Sequence, residues 1–162
     1  MKNFIGAALL LYPVLLACNS SQGQTLAEDK VPQAVRSAFT QRFPNATKAK
    51  WEMENATTYE VIFRVNGSEC SASFDPKGAW METETEIKEA DLPAPVRAML
   101  AKEYAGHKLS EFERVETPAD GTAYEVEAEL GEKTTEVKLS ADGHVLKATV
   151  EEQEEGDKEE KD

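Results

Sequence analysis

The sequence predicts an α+β protein built as two tandem α-β-β-β-β repeats, with antiparallel sheets and the helices packed on one face. Three observations predict it. The two halves of the chain match each other, the hydrophobic period switches from helical to alternating in each half, and turn signals fall between the alternating runs.

The internal match begins at Val31-Pro32-Gln33-Ala34-Val35-Arg36, which recurs as Leu92-Pro93-Ala94-Pro95-Val96-Arg97. Trp51-Glu52 then faces Phe112-Glu113, and after an insertion around Pro118-Ala119-Asp120-Gly121 the register resumes, pairing Tyr59-Glu60-Val61 with Tyr124-Glu125-Val126 and Gly78 with Gly143. The expected units are residues 31–90 and 91–151. Each opens with a proline, which suits a first helical turn because it leaves no orphan amide there. Val35, Ala38, Phe39 and Phe43 then follow at helical spacing, as do Val96, Met99, Leu100 and Tyr104, so one face of each helix is buried. Pro44-Asn45 and Gly106 end the helices.

Beyond these stops the period becomes two. Trp51 and Met53 alternate with Lys50, Glu52 and Glu54, and Tyr124, Val126, Ala128 and Leu130 alternate with Glu125, Glu127 and Glu129. Such strands bury one face and wet the other. Cys70, Ala72 and Phe74 take inward positions opposite Thr135, Val137 and Leu139 in the second unit, while Asn66-Gly67 and Asp142-Gly143 read as hairpin turns. On the last strand of the first unit, alternation puts Met81, Thr83, Thr85 and Ile87 on one side and Trp80, Glu82, Glu84 and Glu86 on the other. The expected open face therefore displays Lys48, Lys50, Glu52, Glu60, Arg64, Trp80 and Glu82, followed by Glu113, Glu125, Glu127, Glu129, Lys138 and Lys147. From it Trp80, Arg64, Glu60, Lys50 and Glu82 are the candidate binding residues, Trp80 first because it supplies the apolar area.

The flanks carry different signals. Met1-Lys2-Asn3 is a short basic start, and the apolar run from Phe4 to Ala17 falls short of the roughly 20 residues a membrane span needs. It closes on Leu15-Leu16-Ala17-Cys18, which resembles a bacterial lipobox. Residues 1–17 then read as a lipoprotein signal peptide, Cys18 as the acylated anchor and residues 18–30 as a flexible tether. With Cys18 acylated, Cys70 has no partner for an internal disulfide. Residues 152–162, almost all charged, read as a disordered acidic tail.

Composition excludes several classes of function. With 31 acidic against 18 basic residues, the surface repels nucleic acid and anionic lipid, so neither is an expected partner and contact with the membrane runs through the anchor alone. His107 and His144 each follow a turn or break, no phosphate-cradling loop occurs, and no zinc or calcium spacing is present. No catalytic residue, metal or cofactor is expected, and the carboxylates read as a solvated face.

The helix starts, together with Phe43-Pro44-Asn45-Ala46, the Tyr-Glu-Val strand and Phe74-Asp75-Pro76-Lys77-Gly78-Ala79-Trp80, resemble the PepSY-like family of secreted proteins, whose fold is akin to the β-lactamase inhibitory protein and which is frequent among Bacteroidetes lipoproteins. The second unit departs from these motifs, with Ala105-Gly106 in place of Pro44-Asn45 and Val145 in place of Trp80. The resemblance implies a non-catalytic, lipid-anchored envelope module that binds or inhibits a protein or peptide. Acidic residues are absent from Asn19 to Gln22, which for that lineage implies the periplasmic face of the outer membrane. The alternative is a structural or stress-related envelope lipoprotein with no discrete ligand.

Overall fold

Prolines set where both helices begin. Pro32 (φ −54°) and Pro93 (φ −55°) occupy the cap positions of α1 (Gln33–Arg42) and α2 (Ala94–Glu103). In the computed structural model, which describes residues 24–152, these helices interrupt nine strands: β1 (Gln24–Leu26), β2 (Thr47–Asn55), β3 (Thr58–Val65), β4 (Ser68–Phe74), β5 (Trp80–Glu86), β6 (Lys108–Thr117), β7 (Gly121–Leu130), β8 (Lys133–Ser140) and β9 (Val145–Glu152). All pair antiparallel, in chain order, in a single sheet. The two halves are joined by β5 and β6, where Glu84 faces Val115 and Thr85 faces Arg114. Among the described residues, no helix is long and apolar enough to cross a membrane.

Each helix builds its own core. Val35 and Phe39 of α1 pack with Trp51, Val61, Phe63, Cys70, Ala72 and Phe74, and Leu26, Phe43 and Trp80 close the rim. The rings meet edge-on or tilted, Phe39 to Trp51 at 5.3 Å, Phe39 to Phe63 at 5.1 Å and Phe43 to Phe63 at 4.7 Å between centroids, the arrangement favoured by ring quadrupoles. Under α2 the core is aliphatic: Leu92, Val96 and Leu100 lie on Val126, Val137 and Leu139. A fully buried side chain of this size is worth about 1.5–3 kcal/mol, so packing rather than a disulfide holds the sheet to its helices.

Two glycines make the close approach of turn and helix possible. Gly78 and Gly143 both have φ +85°, and a Cβ would sit 2.6 Å from the Ala34 carbonyl oxygen at the first and 2.8 Å from that of Pro95 at the second. No other residue both adopts that backbone and leaves that space. The first turn is held further by Asp75 Oδ1, which accepts from the amides of Lys77 and Ala79, each at 2.8 Å.

The expected bounds of the flanks and the place of Trp80 are corrected. The tether does not extend to residue 30: Gln24–Leu26 pair with Trp51–Met53 as β1, and Glu28–Lys30 form a 3₁₀ turn into α1. Leu26, opposite Trp51, has apolar area to bury, and the edge of β2 supplies backbone partners that a polar composition does not reveal. At the other end Glu152 pairs with Lys133 and completes β9, so residue 152 belongs to the sheet and not to the expected tail. The proposed signal peptide, Cys18 and the rest of the tail lie outside the described residues.

The second correction is Trp80, which does not share the open face with Glu82. Ser73 faces Glu82 but Phe74 faces Trp80, so Met81 is an extra residue, a β-bulge. The bulge reverses the alternation. Met81 is left 45% exposed, while Trp80 turns to the helix side, donates from Nε1 to Thr83 Oγ1 at 2.8 Å and lies 3.4 Å beneath the Arg42 guanidinium carbon. Trp80 caps the α1 core rather than offering a contact surface.

Candidate functional site

Directly opposed residues trace rows across the sheet. One row runs Cys70, Thr85, Arg114, Tyr124, Leu139, from a residue of the α1 core to one of the α2 core. On the reverse side the corresponding row runs Lys50, Ile62, Ser71, Glu84, Val115, Ala123, Ser140. It is flanked by Glu52, Glu60, Ser73, Glu82 on one side and by Glu86, Glu113, Glu125, Lys138, Lys147 on the other.

This reverse face is deeply curved. In a flat sheet β5 and β8 stand roughly 14 Å apart, yet Lys138 Nζ on β8 reaches Glu82 Oε2 on β5 at 3.3 Å while holding Glu125 Oε1 at 2.7 Å. Val115 and Ala123, at the bottom of the curve, are 0% and 1% exposed although neither belongs to a helix-side core. The resulting cleft encloses about 350 Å³ and is walled by residues as distant in the sheet as Glu54 on β2 and Lys147 on β9.

The cleft concentrates carboxylates. Glu84, Glu113 and Glu125 each place an oxygen within 4.8 Å of the others. Glu113 and Glu125 face each other directly, as do Glu86 and Glu113, Glu52 and Glu60, and Glu127 and Glu136; like charges in such positions repel. Burial pushes Glu84 up to about 8, the charges of Glu113 and Glu82 push the same way, and the Ser71 hydroxyl, donating at 3.0 Å, opposes them. Glu113 is raised to about 7, first by burial and then by Glu125, Glu111, Glu136 and Glu82. Glu60 and Glu127 are raised as well, again chiefly by burial. Lys138 answers part of this charge: burial disfavours its ammonium, but Glu125 and Glu82 outweigh that and hold its affinity for the proton above normal.

Of the residues marked from sequence, Lys50, Glu60, Arg64 and Glu82 stand on this curved side, but they do not converge. Arg64 is engaged with Glu69 at 2.9 Å and Lys50 is exposed on β2, whereas Glu82 reaches the central cluster through Lys138 and Glu60 adjoins it through Ser71, which also serves Glu84. Glu84, Glu113, Glu125 and Lys138 form the centre. Alternation assigns each of them to this side, but only the curvature brings them together. Chemically, three close carboxylate oxygens, those of Glu84 and Glu113 with a raised affinity for protons, can take up positive charge, either a cationic side chain or a divalent cation.

The sequence profile of a family described as beta-lactamase-inhibitor-like, PepSY-like matches residues 19–64 and 57–147. The chain belongs to this PepSY-like family. A BLIP-like protein from Bacteroides fragilis is 28% identical, with a TM-score of 0.66 over 78% of this chain and 90% of its own. Two DUF2874 family proteins, from Bacteroides uniformis and Bacteroides ovatus, are each 21% identical with TM-scores of 0.68, covering 74% of this chain and 88% and 86% of theirs; at that identity they show the shared PepSY-like fold alone. No curated protein matches the chain in sequence.

Proposed function

We propose that this PepSY-like chain is a non-catalytic binding or inhibitory module, anchored through Cys18 at the periplasmic face of the outer membrane, that seats a basic segment of another envelope protein in the curved face of its sheet. One observation carries the reading: the convergence of Glu84, Glu113 and Glu125 in a cleft walled by further carboxylates and answered at its centre by Lys138. Repulsion built into a surface is relieved when a cationic partner arrives, which gives both steering and specificity.

The two units are read as copies of one repeat whose helices share a face. The row from Cys70 to Leu139 joins the α1 core to the α2 core without changing sides, and Gly78 and Gly143 meet equivalent helix carbonyls. Duplication then explains the cleft: joining two half-covered sheets edge to edge doubles the uncovered face and lets it curl.

A photoreactive residue in place of Ser73, on the curved face, is expected to capture one discrete protein in the membrane fraction of intact cells, and the same residue in place of Ser37 on α1 is not. With Cys18→Ser the chain and its adduct move to the soluble fraction. A diffuse set of adducts from both positions would support an envelope lipoprotein without a discrete ligand, and retention of the Cys18→Ser chain in the membrane would overturn the anchor.

A further inference from the structure

The two edges of the sheet are unequal. β1 has three residues, whereas β9 has eight and pairs only with β8 among the described residues. Natural proteins guard a long edge against pairing with another chain by shortening it, twisting it or filling it with charge. β9 is interrupted at its start by the bulge opposite Lys138 and Leu139, and its charges, Lys147, Glu151 and Glu152, are of mixed sign. From Lys147 to Glu152 the pairing with β8 is regular, and the edge exposes apolar side chains: Val150 is 57% exposed, with Leu146 and Val145 at 53% and 49% just before it.

The regular stretch is self-complementary. Lys147, Thr149 and Glu151 share one side, and Ala148 and Val150 share the other, as their partners on β8 require. An antiparallel pairing with a second β9 about a twofold axis keeps each side intact only if opposed residue numbers have an even sum. Within that set, centring the axis on Thr149 sets Lys147 against Glu151 twice over and Ala148 against Val150 twice over. Moving the axis to Lys147 or to Glu151 opposes like charges, and moving it to Ala148 or Val150 leaves the charges without direct partners.

We propose that β9 is a homodimerisation edge, joining two copies of the chain antiparallel about Thr149 into one continuous sheet. Lys147 and Glu151 form reciprocal cross-strand pairs on one side, and Val150 of each copy is covered on the other. A twofold interface needs this kind of self-complementarity. The dimer does not require the curved face to bind anything, although Lys147 also walls the cleft.

Sedimentation velocity on the complete mature chain, carrying Cys18→Ser and measured in about 0.15 M salt, is expected to show a concentration-dependent dimer. Each of Lys147→Glu and Glu151→Lys turns two attractive pairs into two repulsive ones and is expected to weaken the dimer by about tenfold or more. The double exchange Lys147→Glu with Glu151→Lys restores it. Thermal unfolding of each variant establishes that the fold is retained. A monomer throughout, a dimer indifferent to the single reversals, or a folded double exchange that stays as weak as the singles would overturn the proposal.

Discussion

Replacing Lys138 by methionine is expected to destabilise the fold by about 3 kcal/mol at pH 8, the scale for removing one partner of a largely buried ion pair. Lys138 and Glu125 are only 17% and 14% exposed, and the lysine also serves Glu82. Methionine preserves the stem that lies over the cleft, so the loss reports charge rather than volume. Without the ammonium the cluster loses its compensating charge, and the protons held by Glu84 and Glu113 become the remaining relief of its repulsion. The deficit should therefore be smaller at pH 5 than at pH 8. Chemical unfolding at both values measures it, Lys138→Arg should recover most of the loss, and an equal deficit at the two pH values would mean that Lys138 acts by packing alone.

The second large effect is the pH dependence of the wild-type fold. Glu84 and Glu113 bind protons in the folded chain near pH 8 and pH 7, whereas their ordinary value is 4.5. Between these values the folded chain holds protons that the unfolded chain has released, so stability rises as the pH falls from about 8 towards 4.5 and is lost as it climbs back through the folded values. At about 1.4 kcal/mol for each tenfold difference in proton affinity, the change amounts to a few kcal/mol. The lowered Asp142 lies below this window and the raised Lys138 above it, so neither reverses the trend. Glu84→Gln keeps the shape and removes the charge. It should be more stable than the wild type at pH 8 by about 1–3 kcal/mol, nearly equal to it at pH 5, and flatter in between. A wild-type melting temperature that falls on acidification from pH 8 to pH 5 would contradict this.

The sequence carries much of this fold on its surface. The alternation of Tyr124, Val126 and Ala128 with Glu125, Glu127 and Glu129 places every one of those side chains on the face it occupies, because a strand with one wet face has only one acceptable register. The helix starts at Pro32 and Pro93, the hairpin at Asn66-Gly67 and the glycine turns at Gly78 and Gly143 are legible for the same reason: each residue type answers a local backbone demand. Trp80 is misplaced because one extra residue, Met81, inverts the alternation, and nothing in the composition of Gly78-Ala79-Trp80-Met81 marks a bulge. β1 is missed because a three-residue edge strand draws its stability from the neighbour it pairs with rather than from its own pattern.

The site was legible only by half. Period-two reasoning puts Glu84, Glu113, Glu125 and Lys138 on the open face. It is silent on which of many carboxylates meet. That depends on how far the joined sheet curls, a property of the β5–β6 union and the accumulated twist rather than of any one strand. The residues favoured from sequence, Lys50, Glu60, Arg64 and Glu82, spread along the face, and the residues that touch lie on β5, β6, β7 and β8.

On the proposed function, the cleft takes up positive charge at the expense of its protons. Titration calorimetry with an oligolysine peptide at about pH 7.5, repeated in buffers of different ionisation enthalpy, measures that exchange. A cation seated beside Glu84 and Glu113 lowers their hold on protons, so binding should release protons into the buffer. It should also weaken steeply with salt, and both the release and most of the affinity should disappear in a Glu84→Gln, Glu113→Gln double variant. Failure of the peptide to bind, or binding with no proton release and equal strength in the double variant, would contradict the assignment of the curved face as the binding site.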